Sequence, residues 1–237
     1  MLLRVRIVPL ALAPLLAAAL ALPSRTTHST PRLDARVLEV AFDVRRPEVV
    51  DEAAAAATRD VEARRSALEG HERTIRAPRV DAPQQSVRAT VWRSIDALED
   101  ASLALDGQDA AKAYAAAFDG DSRPPLCFRL LREQSYAEAP CGHLEVVVFR
   151  TRPGVTREAN LKKFDAAEAE FRAGEGLLGH ALGIAPDGRW VHVLHWASAE
   201  AYTKTGKALF GKPGVGGWIR SLDFQRFEVS RGDVAGR

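Results

Sequence analysis

The sequence predicts an α+β protein built from two tandem copies of one β-α-β-β-α-β module, and three observations carry that prediction. The first is an internal repeat, a feature that reorganises any reading of the chain. Leu38-Glu39-Val40 opens the stretch LEVAFDVRRPEV, and 106 positions later Leu144-Glu145-Val146 opens LEVVVFRTRPGV, with Arg46-Pro47 answering Arg152-Pro153. The second is that further matches keep the same order. Leu68-Glu69-Gly70-His71 matches Leu177-Leu178-Gly179-His180, and Val91-Trp92-Arg93-Ser94 matches His195-Trp196-Ala197-Ser198. A weaker match sets LCFRLL around Phe128 against LDFQRF around Phe224. The third is that helical patterns alternate with these strand-like stretches in both halves.

Taken in order, each half starts with a strand that stops at its proline. An amphipathic helix follows, marked in the second half by Leu161, Phe164 and Phe171 with Thr156 as its N-cap, and in the first by the alanine-rich stretch Ala53 to Leu68. After each tryptophan Ser94 or Ser198 is placed to cap a second helix, running to about Leu105 or Leu209. Strand, helix, strand, strand, helix, strand is the ferredoxin-like split βαβ order, an antiparallel sheet with both helices on one face. The first unit is expected over residues 36–136 and the second over 137–232. Pro186-Asp187-Gly188-Arg189 predicts a tight hairpin with Asp187-Gly188 as its two central residues, which sets His180 opposite His195 and Gly179 opposite Trp196. The first unit's hairpin loop, around Asp81 to Gln85, is expected to be longer. Gly211 to Gly217 (GKPGVGG) reads as a flexible loop over the barrel mouth.

Residues 1–21 read as a secretory leader: Arg4 and Arg6, an apolar run from Ile7 to Leu16, and the small-residue signature Ala19-Leu20-Ala21. Residues 22–35 read as a linker. The run is shorter than the ~20 apolar residues a membrane span needs, so no stable membrane insertion is expected after cleavage. Removing the leader brings the formal net charge from +2 to zero, which argues against nucleic-acid binding. The expected location is exported, periplasmic or secreted. There Cys127 and Cys141, the two cysteines of the chain, can form a disulfide closing a loop of about 15 residues, worth ~3 kcal/mol; two unpaired thiols are the alternative.

The strand LEVVVFRTRPGVT, the glycine-rich entry EGLLGH, and VHVLHWAS leading into EAYTKT resemble the antibiotic biosynthesis monooxygenase-like domains of the dimeric α/β-barrel superfamily. The second unit carries a strand ending in Pro-Gly, a glycine at the helix-to-strand turn and Trp-x-Ser; the first has Pro47-Glu48 in place of Pro-Gly. The resemblance implies two sheets packed face to face, here from tandem copies, so that the barrel is completed within one chain. It also implies relatives that oxidise aromatic compounds without a cofactor, and others that degrade haem. The haem-degrading pattern needs an asparagine on the first strand and a histidine after the tryptophan, and this chain has neither at those places.

His180 and His195 are the candidate catalytic pair, because opposed imidazoles on one sheet face can share a proton or a metal; as a metal site they lack a third ligand, so none is expected. Two core histidines packed on the sheet are the alternative. On the other face Gly179, Ala181 and Gly183 leave space beside Trp196 and His192, either for a packed helix or for an aromatic ligand. Trp92 and His71 occupy the matching places in the first half, where Val91 replaces His195. Glu39 and Glu145 recur at the strand starts, where a solvated carboxylate is expected. The functional expectation is a cofactor-independent monooxygenase acting on a small aromatic or hydrophobic molecule. A non-catalytic ligand-binding or structural module of the same fold is the alternative.

Overall fold

The structure is a computed structural model, and it describes residues 35–118 and 124–234; the expected leader and nearly all of the linker lie outside them. The elements run β1 (Val37–Val44), α1 (Asp51–Ser66), β2 (His71–Pro78), β3 (Gln85–Trp92), α2 (Ile95–Leu105), α3 (Asp109–Ala117) and β4 (Leu126–Ser135) in the first half. The second half continues with β5 (His143–Phe149), α4 (Arg157–Phe171), β6 (Leu177–Ile184), β7 (Trp190–Trp196), α5 (Ala199–Ala201), a π-helical turn (Tyr202–Gly206), α6 (Lys207–Phe210), α7 (Pro213–Ile219) and β8 (Glu228–Asp233). Sequence-legible caps start three of these helices. Ala97, Ala159 and Ala201 donate their backbone N–H to Ser94, Thr156 and Ser198 at 3.1, 3.2 and 3.1 Å. Helix α3, rich in alanine, has no counterpart in the sequence reading.

All eight strands join in one antiparallel sheet, in the order β2-β3-β1-β4-β6-β7-β5-β8. The halves are thus joined edge to edge as well as facing each other. β4 is the seam: Leu126 to Arg129 pair with β1, and Arg129 to Ser135 pair with β6. The ring closes where Arg79 bridges Gly232 and Val80 N donates to Arg231 O at 3.0 Å. Gly232 is required there, since a Cβ on it would lie 2.1 Å from Pro78 O. The result is an eight-stranded barrel within one chain, which leaves no free sheet edge.

Alternation along the strands sends one set of side chains into the barrel and the other toward the helices. The interior is filled by apolar residues, among them Leu38, Val40, Val87, Val91, Phe128, Leu144, Val146, Val191 and Val193. Three expectations need correction. The β6–β7 loop is Pro186-Asp187-Gly188: Gly188 N donates to Ala185 O, Ala185 N donates to Arg189 O, and Gly188 sits at φ 81°. A three-residue loop ending in a left-handed glycine shifts the register by one, so His180 pairs with Leu194 and Leu182 with His192. The stretch GKPGVGG begins helix α7 instead of a loop; Glu170 caps it by accepting from Gly214 N (3.0 Å) and Val215 N (2.8 Å), and Gly214 lies close against Ala166 O. Phe224 opens a short 3-10 turn, and the last strand begins only at Glu228.

Cys127 and Cys141 are both free. Cys127 pairs with Glu39 near the start of β4, whereas Cys141 adjoins Trp196, beside the end of that strand. Eight residues of β4 separate Cys127 from Ser135, about 26 Å along the strand, far beyond disulfide reach. Burial pushes the Cys127 thiol up to about 11, so it is a poor nucleophile.

Candidate functional site

The register shift decides which histidines meet. His195 shares a face with Val191 and Val193, at a partly buried mouth of the barrel, where Arg73 lies near it and is itself paired with Glu133. His180 and His192 face the helices instead, with ring centroids 5.2 Å apart. Phe164 and Phe171 from α4 and Trp218 from α7 complete a cage over them, with centroid separations between 5.0 and 6.2 Å. These residues meet because α4 turns Phe164 and Phe171 inward at one helical face and the close contact of Gly214 with Ala166 seats α7 on α4.

Polar atoms in this cage are unevenly satisfied. His180 Nε2 lies 3.1 Å from Glu168 Oε1, so Nε2–H donates to the carboxylate and Nδ1 is left as an acceptor. His180 Nδ1, His192 Nε2 and Trp218 Nε1 are buried with no hydrogen-bond partner. Each unmade bond costs ~1–3 kcal/mol, a penalty that a bound polar group would relieve. Burial holds His180 at about 4, against an opposing pull from Glu133; burial with Arg73 holds His195 at about 3, and burial with His180 keeps His192 well below the ordinary range. All three are neutral at physiological pH. Among the described residues no group of three His, Cys, Asp or Glu could hold a metal ion.

The matching layer of the first half has a different chemistry. Trp92 is buried and donates Nε1–H to Glu39 at 3.0 Å, and Glu39 also accepts from Arg65 (2.9 Å) and Arg88 (3.2 Å). Burial alone would raise Glu39, but the two guanidiniums and the indole N–H outweigh it and leave the carboxyl below its usual range. His71 bonds Thr74 Oγ1 at 2.9 Å and meets Trp92 edge-on. Asp43, Arg76, Glu62 and Tyr114 extend the network. Glu39 and Glu145 are therefore buried and paired, contrary to the solvated carboxylates expected.

A further polar group lies at the β5 end of the second half. His143 Nδ1 is 2.7 Å from Asp233 Oδ1 and its ring stacks on Tyr202 at 5.1 Å. Trp196 meets Tyr202 edge-on at 5.6 Å, and Arg231 donates to Glu145 at 2.8 Å while lying over the Tyr202 ring.

No protein-family model and no curated protein matches the chain. Solved structures do. A protein of Fusobacterium nucleatum, provisionally described as a monooxygenase, superposes with a TM-score of 0.66 over 86% of this chain and 94% of its own, at 12% identity. A ferredoxin-fold protein of Listeria monocytogenes, described as related to antibiotic biosynthesis monooxygenases, covers 86% and 96% with a TM-score of 0.55 at 10% identity. The likeness is one of fold, that of a barrel built from two ferredoxin-like units. An anthrone oxidase-like protein also matches, over 86% and 92% with a TM-score of 0.57 at 13% identity.

In this barrel the buried polar clusters lie between sheet and helices, and His195 stands at the mouth of the interior. Sequence reasoning missed Glu168, Trp218, His143, Asp233 and Tyr202. Glu168 is four positions from Phe164 on the helix already recognised, so it could have been found; Asp233 meets His143 only through the β5–β8 pairing, which no local pattern reports.

Proposed function

We propose that the chain is an oxidoreductase of the antibiotic biosynthesis monooxygenase type that oxidises a small, electron-rich aromatic compound with dioxygen, with His180 as base. The observation that carries this reading is the Glu168–His180 pair, in which the carboxylate fixes one imidazole nitrogen and leaves the other as an acceptor inside a cage of rings. A carboxylate-oriented imidazole is the recurrent form of a general base. With anthrone as substrate, the methylene C–H gives its proton to His180 Nδ1 and the enolate transfers an electron to dioxygen. The radical pair joins as a peroxide, and loss of water leaves the quinone, with one oxygen atom in the product and one in water. His180 is neutral before reaction, and the enolate forming beside it raises its proton affinity as the proton moves. The aromatic substrate takes the place of Trp218, which requires the short helix α7 to leave its Glu170 cap and its seat on α4, so the substrate's ring contacts must replace those of the buried indole.

Trp196, His192, Trp92 and His71 are not assigned catalytic steps in this reading; His192 is one of the rings of the layer, whereas Trp196 meets Tyr202 outside it. The leader read in residues 1–21 supports placing the mature protein outside the cytoplasm. The mutual contact of the five rings favours a second reading, a filled layer in a non-catalytic module. Oxygen uptake with anthrone or hydroquinone separates the two. The enzyme reading expects uptake that falls at least ~100-fold in His180→Gln while melting is little changed. No uptake by the wild type, with a lower melting temperature in the variant, supports the filled layer.

A further inference from the structure

We propose a second binding site in the same half, where His143, Trp196 and Tyr202 take the hydroxyl and ring of a small phenol. The site is separate from the His180 cage. It is read by binding without turnover, so it fails or stands independently of the oxidase reading.

The argument starts from register. His143 on β5 is the direct cross-strand partner of Trp196 on β7 and of Asp233 on β8, so the three side chains stand in one row, with neighbouring Cβ atoms ~5 Å apart. Asp233 accepts from His143 Nδ1–H at 2.7 Å, which fixes the tautomer and makes Nε2 a lone-pair acceptor. His143 is 2% exposed and its Nε2 has no partner; Trp196 is 1% exposed and its Nε1–H has none either. One buried acceptor and one buried donor thus stand in the same row, both against the Tyr202 ring.

Chemistry selects the ligand group. A carboxylate only accepts and an ammonium only donates, whereas a hydroxyl does both and satisfies His143 Nε2 and Trp196 Nε1–H together. The rings of Tyr202 and Trp196, set at 75° to each other, supply an apolar corner, and Arg231, paired with Glu145, covers the Tyr202 ring. Tyr202 is only partly buried and begins the π-helical turn Tyr202–Gly206, a local widening of the helix that recurs at functional sites. The site therefore has a partly exposed outer side chain over a buried inner pair. The first half lacks it: the matching indole, Trp92, is already bonded to Glu39.

The test uses phenol and toluene as probes with protein carrying 15N-labelled histidine. Wild type is expected to bind phenol about tenfold more tightly than toluene, with the His143 Nε2 resonance shifting on phenol alone. His143→Phe and Trp196→Phe should each abolish the preference. Asp233 has a side chain 61% exposed, so Asp233→Ala folds normally; it should move the His143 proton toward Nε2 and weaken phenol binding with toluene unchanged. Equal binding of phenol and toluene by wild type means that water alone serves these atoms, and overturns the proposal. So does a phenol preference that survives His143→Phe, or an Asp233→Ala variant with an unaltered tautomer and unaltered phenol binding.

Discussion

Replacing His180 by phenylalanine removes one buried titratable group from the ring layer, and its effect on stability follows from the pKa shift. Burial holds His180 at about 4 in the folded chain, against ~6.5 in the unfolded one. As pH falls below ~6.5 the unfolded chain takes up a proton that the folded chain refuses until about pH 4, so the unfolded state binds more protons throughout that window. Stability is therefore full above ~6.5 and is lost as pH falls toward 4, by about 1.4 kcal/mol per pH unit and ~3 kcal/mol in all. His192 and His195 steepen the fall in wild type and variant alike, so the difference between the two proteins isolates His180. Urea unfolding of both proteins at pH 7, 6 and 5 should show the balance moving toward His180→Phe by about 2 kcal/mol between pH 7 and 5. A difference that stays constant across these pH values would refute the buried, neutral assignment of His180.

Glu39→Gln leaves Arg65 and Arg88 without their buried countercharge and should cost about 3–5 kcal/mol in urea unfolding; a loss below ~1 kcal/mol would contradict the network. Gly232→Ala forces a Cβ toward Pro78 O and should cost about 2 kcal/mol, with faster hydrogen exchange at Val80 while β6 and β7 keep their protection. Thiol titration of the unreduced, unfolded protein should find two thiols; finding none would restore the disulfide.

The fold was legible because its signals are local and doubled. Two strands ending at Pro47 and Pro153, two Trp-x-Ser capping stretches at Ser94 and Ser198, and two glycine-histidine strand entries mark the module twice, and each half corroborates the other. The site was legible only in composition. His180, His192 and Trp196 were singled out, but pairing His180 with His195 rested on taking Asp187-Gly188 as a two-residue turn. Admitting Pro186 to the loop moves every β7 side chain to the opposite face, because strand faces alternate with a period of two. That one residue separates an opposed His180–His195 pair from the His180–His192 pair that lies under the helices. The Glu39 and Glu145 carboxylates were misread for a related reason. Their partners Arg65, Arg88 and Arg231 come from other elements, and a strand start reads as solvated until the helix above it is placed. The glycine-rich 211–217 stretch looked like a loop because helix propensity is low there; packing on α4 and the Glu170 cap override it.

Proton transfer to His180 can be read apart from the reaction with oxygen by mixing the protein with anthrone under nitrogen. The proposed chemistry predicts that wild type forms the coloured enolate in the bound state within the pH range where free anthrone stays protonated, and that His180→Gln forms none while binding anthrone as before. Enolate in equal amount in both proteins, or in neither, would contradict His180 as the base.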